Sequence, residues 1–160
     1  MRKLFLLSLL AVPLFAAYSD EPAPQGLEHW TSVSVSSMSL ALEPQAASDP
    51  HHFAVQQLAT YANEYFLLAR RVADGQPEWH ETEADVFVVE SGTATLLVGG
   101  TLVGGETTAP HEKRNGTIQG GMRQKLVAGD IVRIPPRVPH QVLLDGGKEF
   151  TYLVVKVKGY

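Results

Sequence analysis

The chain has 160 residues, 44% of them hydrophobic and 19% charged, with a mean hydropathy close to zero. That is the profile of one soluble domain and excludes a disordered tail or a multi-span membrane protein. The formal charge is −4, and without Arg2 and Lys3 there are 11 basic residues against 17 acidic ones, a net of −6, which repels phosphate backbones and anionic lipid and argues against nucleic acid as a partner.

In chain order, residues 1–19 read as a signal peptide. Met-Arg-Lys precedes an apolar run from Leu4 to Ala17 broken only by Ser8 and Pro13. The run is shorter than the roughly 20 residues a membrane-spanning helix needs, and Ala17-Tyr18-Ser19 supplies a small-x-small cleavage pattern. The expectation is cleavage after Ser19 and a secreted or periplasmic protein with no stable membrane anchor.

Residues 20–62 read as a leader with a short helix, interrupted by Pro22, Pro24, Pro44 and Pro50. Thr31 to Leu42 alternates briefly at Val33 and Val35 and then shifts phase, a pattern shared by an edge strand and a short helix. Ser48-Asp49-Pro50 predicts a helix start, with Phe53, Val55, Leu58 and Ala59 as its apolar face and its end near Tyr61.

Residues 63–160 change character. Short runs rich in Val, Leu, Phe, Tyr and Thr alternate with Gly, Pro, Asp and Asn, which is strand punctuation. Strands are expected at Glu64–Val72, Glu78–His80, Asp85–Glu90, Thr93–Val98, Thr101–Val103, Gln124–Val127, Ile131–Ile134, Gln141–Leu144 and Phe150–Val157. So many short strands indicate an all-β antiparallel sandwich or barrel. Gly99-Gly100 predicts a tight hairpin, and 104–121 a surface loop around one or two short strands. Asn115-Gly116-Thr117 fits both an Asn-Gly turn and a glycosylation acceptor, the turn being favoured.

Chemistry concentrates in two segments. In Glu78-Trp79-His80-Glu81-Thr82-Glu83-Ala84-Asp85, the side chains of Glu78 and His80 share a strand face about 7 Å apart, so both can reach one ion. Asp85 opens the next strand and lies opposite if the two strands are neighbours. The second segment runs from Gly129 to His140 and presents a strand, a turn stiffened by Pro135, Pro136 and Pro139, and a histidine at the start of another strand. With no cysteine in the chain, any metal is held by nitrogen and oxygen.

These two segments resemble the motifs of the cupin superfamily. Gly129, Pro135 and His140 stand where the second motif has its first glycine, proline and histidine, and Arg137 replaces the inner glycine. The first motif's spacing falls on Glu78, His80, Asp85 and Gly92, with two ligand types exchanged. The closing Asn of the second motif is Leu144, and the glycine preceding the first is Val72. The resemblance covers about Glu64 to Val157 and implies a jelly-roll barrel, the double-stranded β-helix, with a divalent metal held by Glu78, His80, Asp85 and His140. Two neutral imidazoles and two carboxylates carry −2, and such donors suit iron, manganese, zinc or nickel. No further cofactor is implied.

The superfamily spans dioxygenases, isomerases, lyases and binding modules, so fold does not fix function. The leading reading is an exported protein that binds a divalent metal and acts on a small organic molecule. The alternative is a non-catalytic module for a small ligand or metal, and a third reading is a homodimer paired through an edge strand. No catalytic residue is assigned, although Tyr152, Arg133 and His111 are polar groups that can face a ligand. Phe87 and Val89 share Asp85's strand parity, and His29, His51 and His52 read as solvated.

Overall fold

The computed structural model describes residues 21–160, so the signal peptide read over 1–19 lies outside the described residues. The first element is a helix, α1 (Ser32–Ser48), capped by the Thr31 side chain, which accepts from the Ser34 N–H. Its buried residues, Val35, Ser39, Leu42 and Ala46, recur every three or four positions and form one narrow stripe. The helical alternative for Thr31 to Leu42 therefore holds. The helix predicted from Ser48-Asp49-Pro50 does not. Ser48 ends α1, Asp49 is its C-cap, and Asp49 Oδ1 accepts from the His51 N–H in the turn that follows.

The residues assigned to that helix form strand β1 (Phe53–Thr60), which pairs along its length with β2 (Glu64–Arg71). The β-region thus begins before the expected boundary at residue 63. Phe53 and Val55 lie on the cavity side of the strand, Val55 still 44% exposed, whereas Ala54 and Leu58 pack on α1 with Leu68. A two-sided strand with a bulge between Gln57 and Ala59 mimics helical spacing.

The remaining strands are β3 (Glu78–His80), β4 (Glu83–Val98), β5 (Thr101–Ala109), β6 (Glu112–Gln119), β7 (Met122–Val127), β8 (Ile131–Ile134), β9 (His140–Leu143) and β10 (Phe150–Lys158). The hydrogen-bonded order is β1-β2-β10-β4-β9-β3-β6-β5, with β7 and β8 added on β4. All pairs are antiparallel. The two runs expected as Asp85–Glu90 and Thr93–Val98 are one strand, β4. Its first half pairs with β10 and β8 in one sheet, and its second half with β7 and β9 in the other. Gly92, at φ +81°, sits at the changeover, beside a register shift against β10. The jelly-roll expectation is met, and Phe87, Leu96, Leu126, Ile134, Phe150 and Val154 are among the side chains filling the space between the sheets.

Two local expectations fail. Gly99 and Gly100 both have positive φ, but Val98 pairs with Met122 and His140, while Thr101 pairs with Gln119. The glycines carry the chain from one pair of partners to another instead of closing a hairpin. Over 104–121, expected as a surface loop around one or two short strands, the strands dominate and form a two-stranded arm, β5 with β6. Asn115, at φ 61°, lies inside β6 and not in a turn. Glycines at 104, 105 and 116 disguise the strands, and a Cβ added at Gly116 would meet the Leu102 side chain at 2.6 Å and the Val103 carbonyl oxygen at 3.0 Å.

Helix α1 is fastened by polar groups as well as by its apolar stripe. Arg70 Nη1 donates to Ser39 Oγ at 3.0 Å, the Ser39 and Thr151 hydroxyls are 2.8 Å apart, and Arg70 also pairs with Glu43 and Glu149.

Candidate metal centre

Local chain geometry delivers each of the four expected ligands. Glu78 and His80 alternate along β3 and reach the same face, as their spacing requires. His140 opens β9 after the proline-stiffened turn and pairs directly with Glu78. In that turn Arg137 adopts φ 64°, the left-handed conformation natural to glycine, and its N–H donates to the His80 carbonyl at 2.7 Å. The turn is thereby tied to the strand carrying His80. Asp85 comes from the opposite sheet. It pairs with Lys156 of β10 and Ile134 of β8, not with β3. The carboxylate therefore meets the histidines across the barrel interior and not along a shared strand edge.

The structure brings all four together. One donor atom from each lies within 4.8 Å of every other. Asp85 Oδ2 is 3.3 Å from both His80 Nε2 and His140 Nε2, and Glu78 Oε2 is 3.6 Å from the first and 3.9 Å from the second. Bonds of about 2.1 Å place neighbouring donors of a tetrahedral or octahedral ion roughly 3.0 to 3.4 Å apart, so the spacing fits with small adjustments. Both rings present Nε2 inward because Nδ1 is engaged elsewhere. His80 Nδ1 donates to Glu112, at 2.7 and 2.6 Å from its two oxygens, and His140 Nδ1 donates to the Val138 carbonyl at 3.1 Å. Outer partners of this kind fix the tautomer that leaves Nε2 free for a metal. His140 is 1% exposed, and its Nε2 has no hydrogen-bond partner. A buried lone pair left unused is costly, and an ion would satisfy it.

Four further residues belong to the cluster and were missed from the sequence. Arg71 Nη2 donates to Glu78 Oε1 at 3.0 Å, and Arg114 pairs with Glu78 Oε2. Glu112 supports His80. Lys156 Nζ lies 2.7 Å from His80 Nε2 and 2.7 Å from Asp85 Oδ1, the second contact being an ion pair at an angle that makes no directed hydrogen bond. The net charge of −2 expected of the ligand set is therefore offset by its surroundings. Three carboxylates, Glu78, Asp85 and Glu112, face three cations, Arg71, Arg114 and Lys156, so the cluster is close to neutral without an ion. Lys156 alone had a visible signal. It follows the inward row Phe150, Tyr152 and Val154 by strand parity.

Titration follows from this crowding. Burial works against the charge of Glu78, but the nearby His80 ring and the fields of Arg114, His140 and Arg71 hold its carboxyl well below the usual range. Asp85 is likewise held low: burial opposes its charge, and the imidazoles of His140 and His80 beside it and the Lys156 charge outweigh that. For His80, burial opposes protonation while the carboxylates of Asp85, Glu112 and Glu78 around it favour it, with a net rise to about 10. Lys156 at 2.7 Å sets a further condition. Two fully protonated nitrogens cannot face each other at that distance, so a hydrogen bond between Lys156 Nζ and His80 Nε2 needs one of the two to offer its lone pair.

A cavity of about 430 Å³ adjoins the cluster, a size that holds a small molecule. Asp85, Lys156, Glu112 and Arg114 are among its polar lining residues, with Phe53, Leu67, Phe87 and Val154 among the apolar ones. Other polar residues named from the sequence are placed differently. His111 is exposed at the cavity rim, with its Nδ1 2.8 Å from Glu81. Tyr152 is buried, accepts from Arg71 Nε at 3.1 Å and packs on Phe87 and Phe150. Arg133 donates to Tyr160 Oη at the surface, away from the cluster. His29, His51 and His52 are exposed.

No family model matches the chain, and no curated protein matches its sequence. Solved structures do. A conserved double-stranded β-helix domain protein of Klebsiella pneumoniae aligns at a TM-score of 0.50 and 17% identity, covering 67% of this chain and 77% of that one. KdgF from a Halomonas species aligns at 0.51 and 14%, covering 71% and 84%. A Thermus thermophilus protein, TT1209, aligns at 0.50 and 16%, covering 69% and 87%. At such identities the likeness concerns the fold, and the fold is the double-stranded β-helix.

Proposed function

We propose that this chain is an exported protein that binds a divalent metal ion through Glu78, His80, Asp85 and His140 and takes a small organic molecule into the adjoining cavity. The observation that carries the reading is the pair of buried imidazoles, each fixed at Nδ1, whose Nε2 atoms converge on one Asp85 oxygen, with His140 Nε2 unpartnered. Export rests on the basic and apolar character of residues 1–19.

A bound ion of this class supplies Lewis acidity to an oxygen of the small molecule. The protein does the rest. Glu112 and the Val138 carbonyl orient the two rings, Arg71 and Arg114 hold Glu78 ionised, and the apolar lining excludes water from the molecule's non-polar part. Lys156 and Arg114 are the donors placed to meet its polar end.

The non-catalytic module has one observation in its favour. The polar groups facing the cavity are largely paired with one another: Lys156 with Asp85 and His80, Arg114 with Glu78 and Glu112, Tyr65 with Glu83. Few are free to transfer a proton.

Elemental analysis tests the metal reading. Wild-type protein exposed to manganese, iron, nickel and zinc and then dialysed is expected to retain about one ion per chain, and His140→Ala and Glu78→Ala at least tenfold less. Equal metal content in all three proteins, or none in any, overturns it.

A further inference from the structure

We infer that Lys156 is a built-in competitor of the metal ion, so that ion binding and the Lys156–His80 hydrogen bond exclude each other. The inference rests on the metal-binding reading above and concerns what sets the affinity of that site.

An imidazole nitrogen offers one in-plane lone pair. His80 has committed Nδ1 to Glu112, so Nε2 is the only atom it can give to an ion, and Lys156 Nζ already occupies it at 2.7 Å. The two histidines therefore differ, because His140 Nε2 has no partner while His80 Nε2 is capped. Lys156 is held in place by the fold. It stands directly across from Asp85 in the β10–β4 register, its residue is 7% exposed, and the preceding inward positions, Tyr152 and Val154, are buried.

An ion entering through the cavity meets Asp85 and Lys156 among its polar lining residues. To bond His80 it must displace the ammonium from Nε2. Lys156 need not leave, because Asp85 Oδ1 lies 2.7 Å away, on the carboxylate oxygen that the histidines do not share. The side chain pivots from the ring onto the carboxylate. Its charge still opposes the ion, since Lys156 already helps to neutralise the carboxylates of the cluster. Both effects weaken binding. The lost hydrogen bond is the same for every ion, so those that bond imidazole strongly, such as zinc and nickel, overcome it, whereas magnesium and calcium do not.

Calorimetric titration of the full chain with Zn²⁺, for wild type and Lys156→Met, tests the inference. Methionine keeps the length of the side chain and removes both its charge and its donors. Lys156→Met is expected to bind zinc at least tenfold more tightly than wild type. Equal or weaker binding by the variant, with wild type binding, overturns the competitor role and leaves the metal site standing. No binding by either overturns the metal site and this inference with it. Because Lys156→Met strips Asp85 of its counter-charge and can fail to fold, the wild-type protein supplies a second measurement. In a ζ-¹⁵N lysine spectrum one ammonium protected from exchange is expected to shift on saturation with zinc, and an unshifted protected signal in zinc-loaded protein overturns the inference.

Discussion

Asp85→Ala is expected to destabilise the metal-free protein by about 3 to 5 kcal/mol, the cost of removing one member of a buried ion pair. Asp85 is 1% exposed and is the carboxylate on which Lys156, His80 and His140 converge. With alanine there, Lys156 keeps only the His80 nitrogen, and positive charge is left in the barrel interior without its nearest carboxylate. Asp85→Asn keeps the shape and part of the hydrogen bonding and should fall between alanine and wild type. The double variant Asp85→Leu/Lys156→Met removes both charges and should recover much of the loss, since apolar replacements of a buried pair are often neutral. Urea denaturation of the four proteins gives the comparison, and a loss below about 1 kcal/mol for Asp85→Ala would place the pair among weak surface bridges. The sign of the pH dependence follows from the same contacts. Asp85 and Glu78 titrate below their usual values in the folded chain. Their contribution is therefore complete above the unfolded carboxylate range of about 4 and is lost as the pH falls below it.

The second large effect concerns the changeover in β4. An added Cβ at Gly92 would lie 2.2 Å from the Glu149 carbonyl oxygen, and the residue has φ +81°. Glu149 leads into Phe150, which is fully buried at the start of β10, so the obstructing atom is backbone anchored in the core. Gly92→Ala is expected to cost about 3 kcal/mol or more, combining left-handed strain with overpacking. Gly129→Ala is the control. Gly129 also has positive φ, at +92°, but nothing lies within 4 Å of the added Cβ, so only the conformational cost of about 1 to 2 kcal/mol applies. Equal thermal destabilisation of the two variants would contradict a role for the Glu149 contact.

The cluster was legible where its geometry is local. Glu78 and His80 are brought together by strand parity, and His140 by a short turn whose prolines limit its path. The partners that decide its charge were not legible, because register between distant strands places them. Arg114 and Glu112 reach the site since β6 pairs Glu78 with Arg114 and His80 with Glu112, and Lys156 does so since β10 sets it against Asp85. No spacing within the chain encodes those registers. The pattern over α1 fits strand and helix alike, and that of β1 reads as a helix, for a similar reason. The buried stripe of α1 includes Ser39, whose hydroxyl bonds Thr151 and Arg70, so an apolar pattern alone does not find it. In β1 apolar residues lie on both faces, Ala54 and Leu58 toward α1 and Phe53 and Val55 toward the cavity, and the alternation that marks a strand is lost. The β5–β6 arm is largely exposed and rich in glycine, and so reads as a loop.

Anomalous diffraction at the zinc edge, from crystals grown with Zn²⁺, tests the metal centre most directly. The expected result is a single strong peak about 2.0 to 2.2 Å from Glu78, His80, Asp85 and His140, with Lys156 Nζ moved off His80 Nε2. Zinc-soaked crystals with no peak in the cluster, and Lys156 still bonded to His80, would contradict the account and leave a barrel neutralised by its own side chains.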